Sequence, residues 1–151
     1  MIDKFDGEYR WASNFHPHRI FYHGGWCDTN EHAYQIEKTL IEEEREMIRN
    51  APTPGRAKRL ARKITLRPDW DEIKLTVMLS VSAIKYQDPE LRAKLLATGS
   101  QLLVEGNTWG DTFWGVCDGV GENYLGRVLM FIRDEIRNEI KAEDDRRPSD
   151  E

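Results

Sequence analysis

Apolar side chains recur at helical spacing through much of the second half of the chain. From Asn123 to about Lys141, Leu125, Val128, Leu129, Ile132, Ile136 and Ile140 fall on one face, as in a helix lying against a core. Trp70, Ile73, Val77, Val81 and Ile84 form a second stripe from Asp69 to about Tyr86. Asp69 and Glu72 are spaced there as a D-x-x-E capping box, and Leu75 and Leu79 widen the buried side. Thr53 followed by Pro54 pairs an N-cap with a proline at the first helical position. It opens a short basic helix with Ala57, Leu60, Ala61 and Ile64 inward. Pro89 opens another short helix that ends near Gly99.

The N-terminal pattern differs. In RIFYHGGW, aromatic and β-branched residues flank the Gly24-Gly25 pair, which predicts a hairpin. Leu102 to Trp114, punctuated by Gly106, Gly110 and Gly115, reads as short strands or loops. Strands and helices do not alternate, so the expected fold is a mainly helical α+β domain, single and compact, with a small antiparallel sheet. That domain is expected over residues 1–141. Residues 142–151, AEDDRRPSDE, hold no apolar side chain beyond one alanine and are expected to be a disordered acidic tail.

Composition narrows the function classes. A 151-residue chain with 39% hydrophobic residues suits one domain with a real core. The formal net charge of -5 gives no global field toward nucleic acid or an anionic membrane, so any anion must be held locally. Cys27 and Cys117 match no zinc or redox spacing and cannot form a disulfide framework, which predicts a reducing, cytoplasmic setting. No stretch approaches the roughly 20 apolar residues of a membrane span, and the N-terminus carries no leader pattern.

After Trp26, the segment WCDTNEHAYQIEK opens a helix near Asp28 or Thr29 that lines up Glu31, Gln35 and Lys38 beside Tyr34. A carboxylate, an amide and an ammonium on one face can bind a sugar and its leaving group. The same spacing also makes Asp28 and Glu31 a capping box and Lys38 a solvated helix charge. His32 has no second ligand at metal spacing and reads as a satisfied, partly buried histidine.

FDGEYRWASNF, WCDTNEHAYQIEK, GRAKRLARKITLRPDWDEIKLTVM, DTFWG and ENYLGRVLMFIR, in that order and spacing, resemble the NADAR/YbiA-like family over nearly the whole chain. Ala12 stands where relatives often carry leucine, and Cys27 where proline is common after the tryptophan. The resemblance implies hydrolysis of N-glycosidic bonds. The substrates it implies are ribosylamino-pyrimidine intermediates of riboflavin synthesis or ADP-ribose attached to a base. It also turns attention to Glu31 as the catalytic carboxylate.

Breaking a ribosyl C–N bond develops positive charge at the anomeric carbon, which calls for a nearby carboxylate and a positioned water. Asp111, between tryptophans and glycines, is the expected second carboxylate; a turn-capping aspartate is its other reading. Trp114 and Tyr34 are the expected platforms for a planar base. Trp70 joins them on resemblance alone, since it also lies on an apolar stripe. Lys58 and Arg62, in a basic run from Arg56 to Arg67 without an acid, are expected to hold phosphate, unless that run is a solvated helix face. Ser13 and Asn14 either bind ribose or phosphate oxygens or cap a turn; Asn123 and Gly126 read as an N-cap and a close-packing position. No metal and no cofactor is expected, and the partner is a nucleotide-like small molecule. Two alternatives are removal of ADP-ribose from guanine in modified nucleic acid, and a non-catalytic module that binds NAD or ADP-ribose.

Overall fold

The computed structural model describes residues 1–149, which fall into two compact units. One unit comprises residues 5–88. It begins with a short 3-10 helix, Gly7–Ala12, followed by the hairpin strands β1 (Pro17–Tyr22) and β2 (Gly25–Thr29). Helices α1 (Asn30–Ile36), α2 (Glu42–Arg49), α3 (Pro54–Leu60) and α4 (Trp70–Lys85) complete it. The other unit, residues 1–4 with 89–149, holds α5 (Pro89–Ala97), a two-residue parallel pair β3 (Gly106–Asn107) and β4 (Val116–Cys117), and α6 (Tyr124–Arg146).

The hairpin is antiparallel, with Phe21 opposite Trp26 and Tyr22 opposite Gly25. Its turn lies one residue earlier than the sequence predicts. His23 (φ 50) and Gly24 (φ 72) occupy the two left-handed positions that a tight hairpin turn of the mirror-image kind requires. Gly25 is needed for a different reason, because a Cβ there would lie 2.8 Å from the Arg49 guanidinium. That guanidinium donates to the carbonyls of Tyr22 (2.9 Å) and His23 (3.0 Å) and ties α2 to the hairpin.

α1 is the centre of this unit. All seven of its residues are buried, and it packs against the hairpin, α2, α3 and α4. Thr29 is its N-cap: the hydroxyl accepts from the His32 amide (3.2 Å) and donates to His32 Nδ1 (2.8 Å). His32 Nε2 donates to the Ala51 carbonyl (3.0 Å), so this histidine is satisfied at both nitrogens and fully rather than partly buried. α3 starts as expected, with the Thr53 hydroxyl accepting from the Arg56 amide (3.1 Å) ahead of Pro54. On α4, Trp70, Val77 and Val81 face inward, but Leu75 is exposed. The expected capping box at its start is absent, because the Asp69 carboxylate turns to Arg67 instead.

In the other unit, Ile2 pairs with the segment around Leu103, and α6 buries Leu125, Val128, Leu129, Ile132 and Ile136. Asn123 does not cap α6 with its side chain. It sits at φ 56, accepts from the Glu105 amide (2.9 Å) and donates to the Leu103 carbonyl (2.9 Å). Gly126 is a close-packing position, since a Cβ there would collide with the Leu103 carbonyl. α6 continues to Arg146, five residues into the segment expected to be a disordered tail; residues 150–151 of that segment lie outside the described residues. Among the described residues no helix is long and apolar enough to cross a membrane.

Candidate active site

Glu31 is the second residue of α1, and its side chain is not the capping group that local spacing allows. Thr29 holds the cap, Asp28 pairs with Arg19 (3.6 Å), and the Glu31 carboxylate accepts from Gln35 Nε2 (2.7 Å), one turn further on. Glu31 is 6% exposed. Burial raises its carboxyl above the ordinary range, while the Gln35 hydrogen bond and the charges of Lys58 and Lys38 act in the opposite direction. Gln35 is itself buried, and its Oε1 has no hydrogen-bond partner among the described residues.

Lys38 lies two residues beyond the end of α1. Its ammonium lies 5.6 Å from the centre of the Tyr34 ring and 5.8 Å from that of Trp70. Those rings pack on each other at 5.2 Å with a tilt of 58°, and both are buried. They therefore form a wall under the Lys38 ammonium rather than an open stacking platform. Burial lowers the Lys38 ammonium from its ordinary value; Glu31 opposes that shift, and Lys58, Arg62 and Lys74 add to it. Five of the expected residues, Glu31, Tyr34, Gln35, Lys38 and Trp70, thus lie together, and the field of Lys58 and Arg62 reaches them.

Ser13 and Asn14 support the start of α1. The Ser13 hydroxyl accepts from the Phe15 amide (3.1 Å), which closes a turn, and the Asn14 carbonyl accepts from the Glu31 amide (3.0 Å). Asn30 Nδ2 donates to Asn14 Oδ1 (2.8 Å) and to the Ser82 hydroxyl (3.2 Å), so a buried polar network fixes the helix that carries Glu31. Asn30 and the Arg67 link to Glu37 carry no local sequence signal, because Asn14, Ser82 and Glu37 lie 16 to 52 residues from their partners along the chain.

An open cavity of about 390 Å³ lies between the hairpin and the α2–α3 link, lined in part by Phe15, His18, Asp28, Thr29 and Pro52. Glu31 is not among its walls, so the cavity and the carboxylate are separate features of this unit.

Asp111 and Trp114 belong to the other unit. Asp111 Oδ1 accepts from the amides of Phe113 (3.1 Å) and Trp114 (2.9 Å), and Asn107 bonds the Asp111 backbone through both ends of its amide. The geometry there is that of a turn-capping aspartate that holds the Trp114 loop. Among the described residues no group of three or more His, Cys, Asp or Glu side chains is arranged to hold a metal ion.

The family model described as the NADAR domain matches residues 3–137. N-glycosidase Npun_R5314 of Nostoc punctiforme is 40% identical over 133 residues, covering 83% of this chain and 85% of that protein. N-glycosidase YbiA of Escherichia coli K12 is 40% identical over 128 residues, with coverages of 82% and 79%. A riboflavin biosynthesis protein of Vibrio vulnificus is 35% identical over 136 residues; the match spans 87% of this chain and 37% of that protein. The NMR structure of the E. coli protein YbiA superposes with a TM-score of 0.82 at 34% identity, covering 99% of this chain and 92% of that one. The match covers residues of both units, and the mainly helical α+β fold with a small antiparallel sheet is shared with E. coli YbiA.

Proposed function

The chain belongs to the NADAR domain family, and on that premise we propose that this N-glycosidase hydrolyses the bond between a phosphorylated ribose and a nitrogenous base, with Glu31 as its catalytic carboxylate. The observation that carries this reading is the buried Glu31 carboxylate, hydrogen-bonded to Gln35 and set in the field of Lys38 and Lys58. A carboxylate at this depth faces little solvent screening, so it can offset the positive charge that develops at C1′ and the ring oxygen. Burial also makes it a stronger base than an exposed glutamate, while the Gln35 amide and the two lysines favour its ionised form.

In the step proposed, the C1′–N bond breaks with its electron pair leaving on nitrogen, and a water oxygen bonds to C1′. The proton lost by that water passes to Glu31 and is returned to the departing base, so atoms and charge balance. Lys58 and Arg62 supply the local cations that a phosphate needs on a chain of net charge -5. Lys38, with Tyr34 and Trp70, walls the sugar and base. Nothing in this step calls for a metal or a cofactor.

The name of the Vibrio vulnificus relative favours an aminopyrimidine leaving group, and a product screen tests it. The purified protein is incubated, with and without EDTA, with ribosylamino-pyrimidine phosphates, their dephosphorylated forms, NAD and ADP-ribosylated oligonucleotides; released base and sugar are read by mass spectrometry. Release of free pyrimidine and ribose phosphate, insensitive to EDTA, is the expected result. Release from ADP-ribosylated DNA alone moves the substrate class, and binding without release from any of them contradicts hydrolysis.

A further inference from the structure

Arg67, in the link between α3 and α4, touches both chain segments that build the wall of the site. Its Nε and NH2 donate to the two carboxylate oxygens of Asp69 (2.7 and 3.1 Å) just before α4, and its NH1 donates to Glu37 Oε2 (3.2 Å) just beyond α1. Its backbone amide donates to the Lys38 carbonyl (2.8 Å), and its own carbonyl accepts from the Trp70 amide (3.3 Å). Glu37 is buried and also accepts from the Tyr22 hydroxyl (2.8 Å) and from His23 Nε2, so the far end of the fork is anchored in the hairpin.

We propose that Arg67 is a positioning residue for the N-glycosidase reaction, joining the end of α1 to the start of α4 so that the Lys38 ammonium stays over the packed rings of Tyr34 and Trp70, within the field of Glu31. The proposal rests on the reading above, in which Lys38 meets the substrate. The chemistry of the fork favours arginine. A planar guanidinium can hold two carboxylates in fixed directions at once, whereas a lysine ammonium is a point charge on a flexible stem. Lys38 has many rotamers, and its placement over both rings depends on Tyr34 and Trp70 staying packed together. The Arg67 backbone fixes Lys38 on one side and Trp70 on the other, and the side chain keeps those segments from separating. The charged groups acting on the Lys38 ammonium are Glu31 from α1, Lys58 from α3, Arg62 after it and Lys74 from α4. Glu37 and Arg67 stand behind it in the chain and the clamp.

The test compares Arg67→Met, which removes the fork, with Arg67→Lys, which keeps the charge, and with Ile48→Val in the core of α2 as a control for lost stability. Two quantities are read: kcat and KM on a substrate that the product screen identifies, and the pH midpoint at which acetic anhydride labels Lys38, followed by peptide mass spectrometry. Burial holds the wild-type midpoint below that of an ordinary lysine. Both Arg67 variants are expected to raise KM by about 10-fold with kcat changed by less than about 3-fold, and to move the Lys38 midpoint up toward the ordinary value. Ile48→Val is expected to move neither. Wild-type KM and midpoint in Arg67→Met, full recovery in Arg67→Lys, or the same changes in Ile48→Val overturns the proposal. Labelling involves no turnover, so a shifted Lys38 midpoint together with an active Glu31→Gln variant removes Glu31 from the chemistry and leaves Arg67 in its role.

Discussion

Gln35 Nε2 donates to Glu31 Oε1 across 2.7 Å within a helix that is buried along its whole length. The bond favours the ionised carboxylate against burial. Replacing Gln35 with Leu keeps most of the volume and removes the donor, so the Glu31 carboxyl should rise further. The acid limb of the kcat profile is then expected to move to higher pH. Turnover near neutrality should fall by about 10-fold and recover on the alkaline side. A pH–kcat profile checks this, and an unmoved limb argues against the coupling.

The same burial sets a pH dependence of stability. The Glu31 carboxyl is raised in the folded state above its ordinary value near 4.5, so the folded chain binds more protons than the unfolded chain between those two values. The contribution of this group is therefore complete below about pH 4 and declines as pH rises through the folded value. Glu31→Gln does not titrate and can still accept from Gln35. Its melting temperature relative to wild type is expected to climb from acid to neutral pH and end higher. Melting curves over that range give the sign directly.

Where a signal is local, the chain discloses its structure in its sequence. The Thr53-Pro54 start of α3, the stripes of α4 and α6 and the hairpin are read from neighbours within a few residues. Helix α2 is not, because Glu42–Arg49 is polar on most sides and buries only Ile48 and Arg49. Asn123 and Asp69 look like caps, but Leu103 and Glu105 draw the first side chain away and the neighbouring Arg67 the second. In the site, the Glu31, Gln35 and Lys38 spacing is legible. That Thr29 takes the cap and leaves the Glu31 carboxylate to Gln35 is visible only in the fold, as is the Arg67 fork from Glu37 to Asp69.

Lys58 and Arg62 are expected to act on binding rather than on the chemical step. Changing both to alanine should raise KM for a phosphorylated substrate by on the order of 100-fold, since each charge-assisted bond is worth roughly 1.5–3 kcal/mol, while kcat changes little. Equal KM values for phosphorylated and dephosphorylated substrates contradict a phosphate role.

Asp111 separates a turn from a catalytic carboxylate. Its Oδ1 accepts two backbone amides, a task that asparagine can also perform. Asp111→Asn should stay within about 0.5 kcal/mol of wild-type stability and about 3-fold of its kcat, whereas Asp111→Ala should lose about 1 kcal/mol. A loss of about 100-fold or more in Asp111→Asn assigns Asp111 to the chemistry instead.

Whether Glu31 carries the chemistry is read most directly from kcat of Glu31→Gln on the substrate that the screen identifies, with melting temperature as the folding control. Glutamine keeps the shape and the bond from Gln35, but it can neither take a proton from water at neutral pH nor offset an oxocarbenium-like charge. Catalysis by Glu31 predicts turnover reduced by about 100-fold or more in a protein that melts no lower than wild type and still binds its ligand. A variant that folds and turns over near the wild-type rate contradicts it.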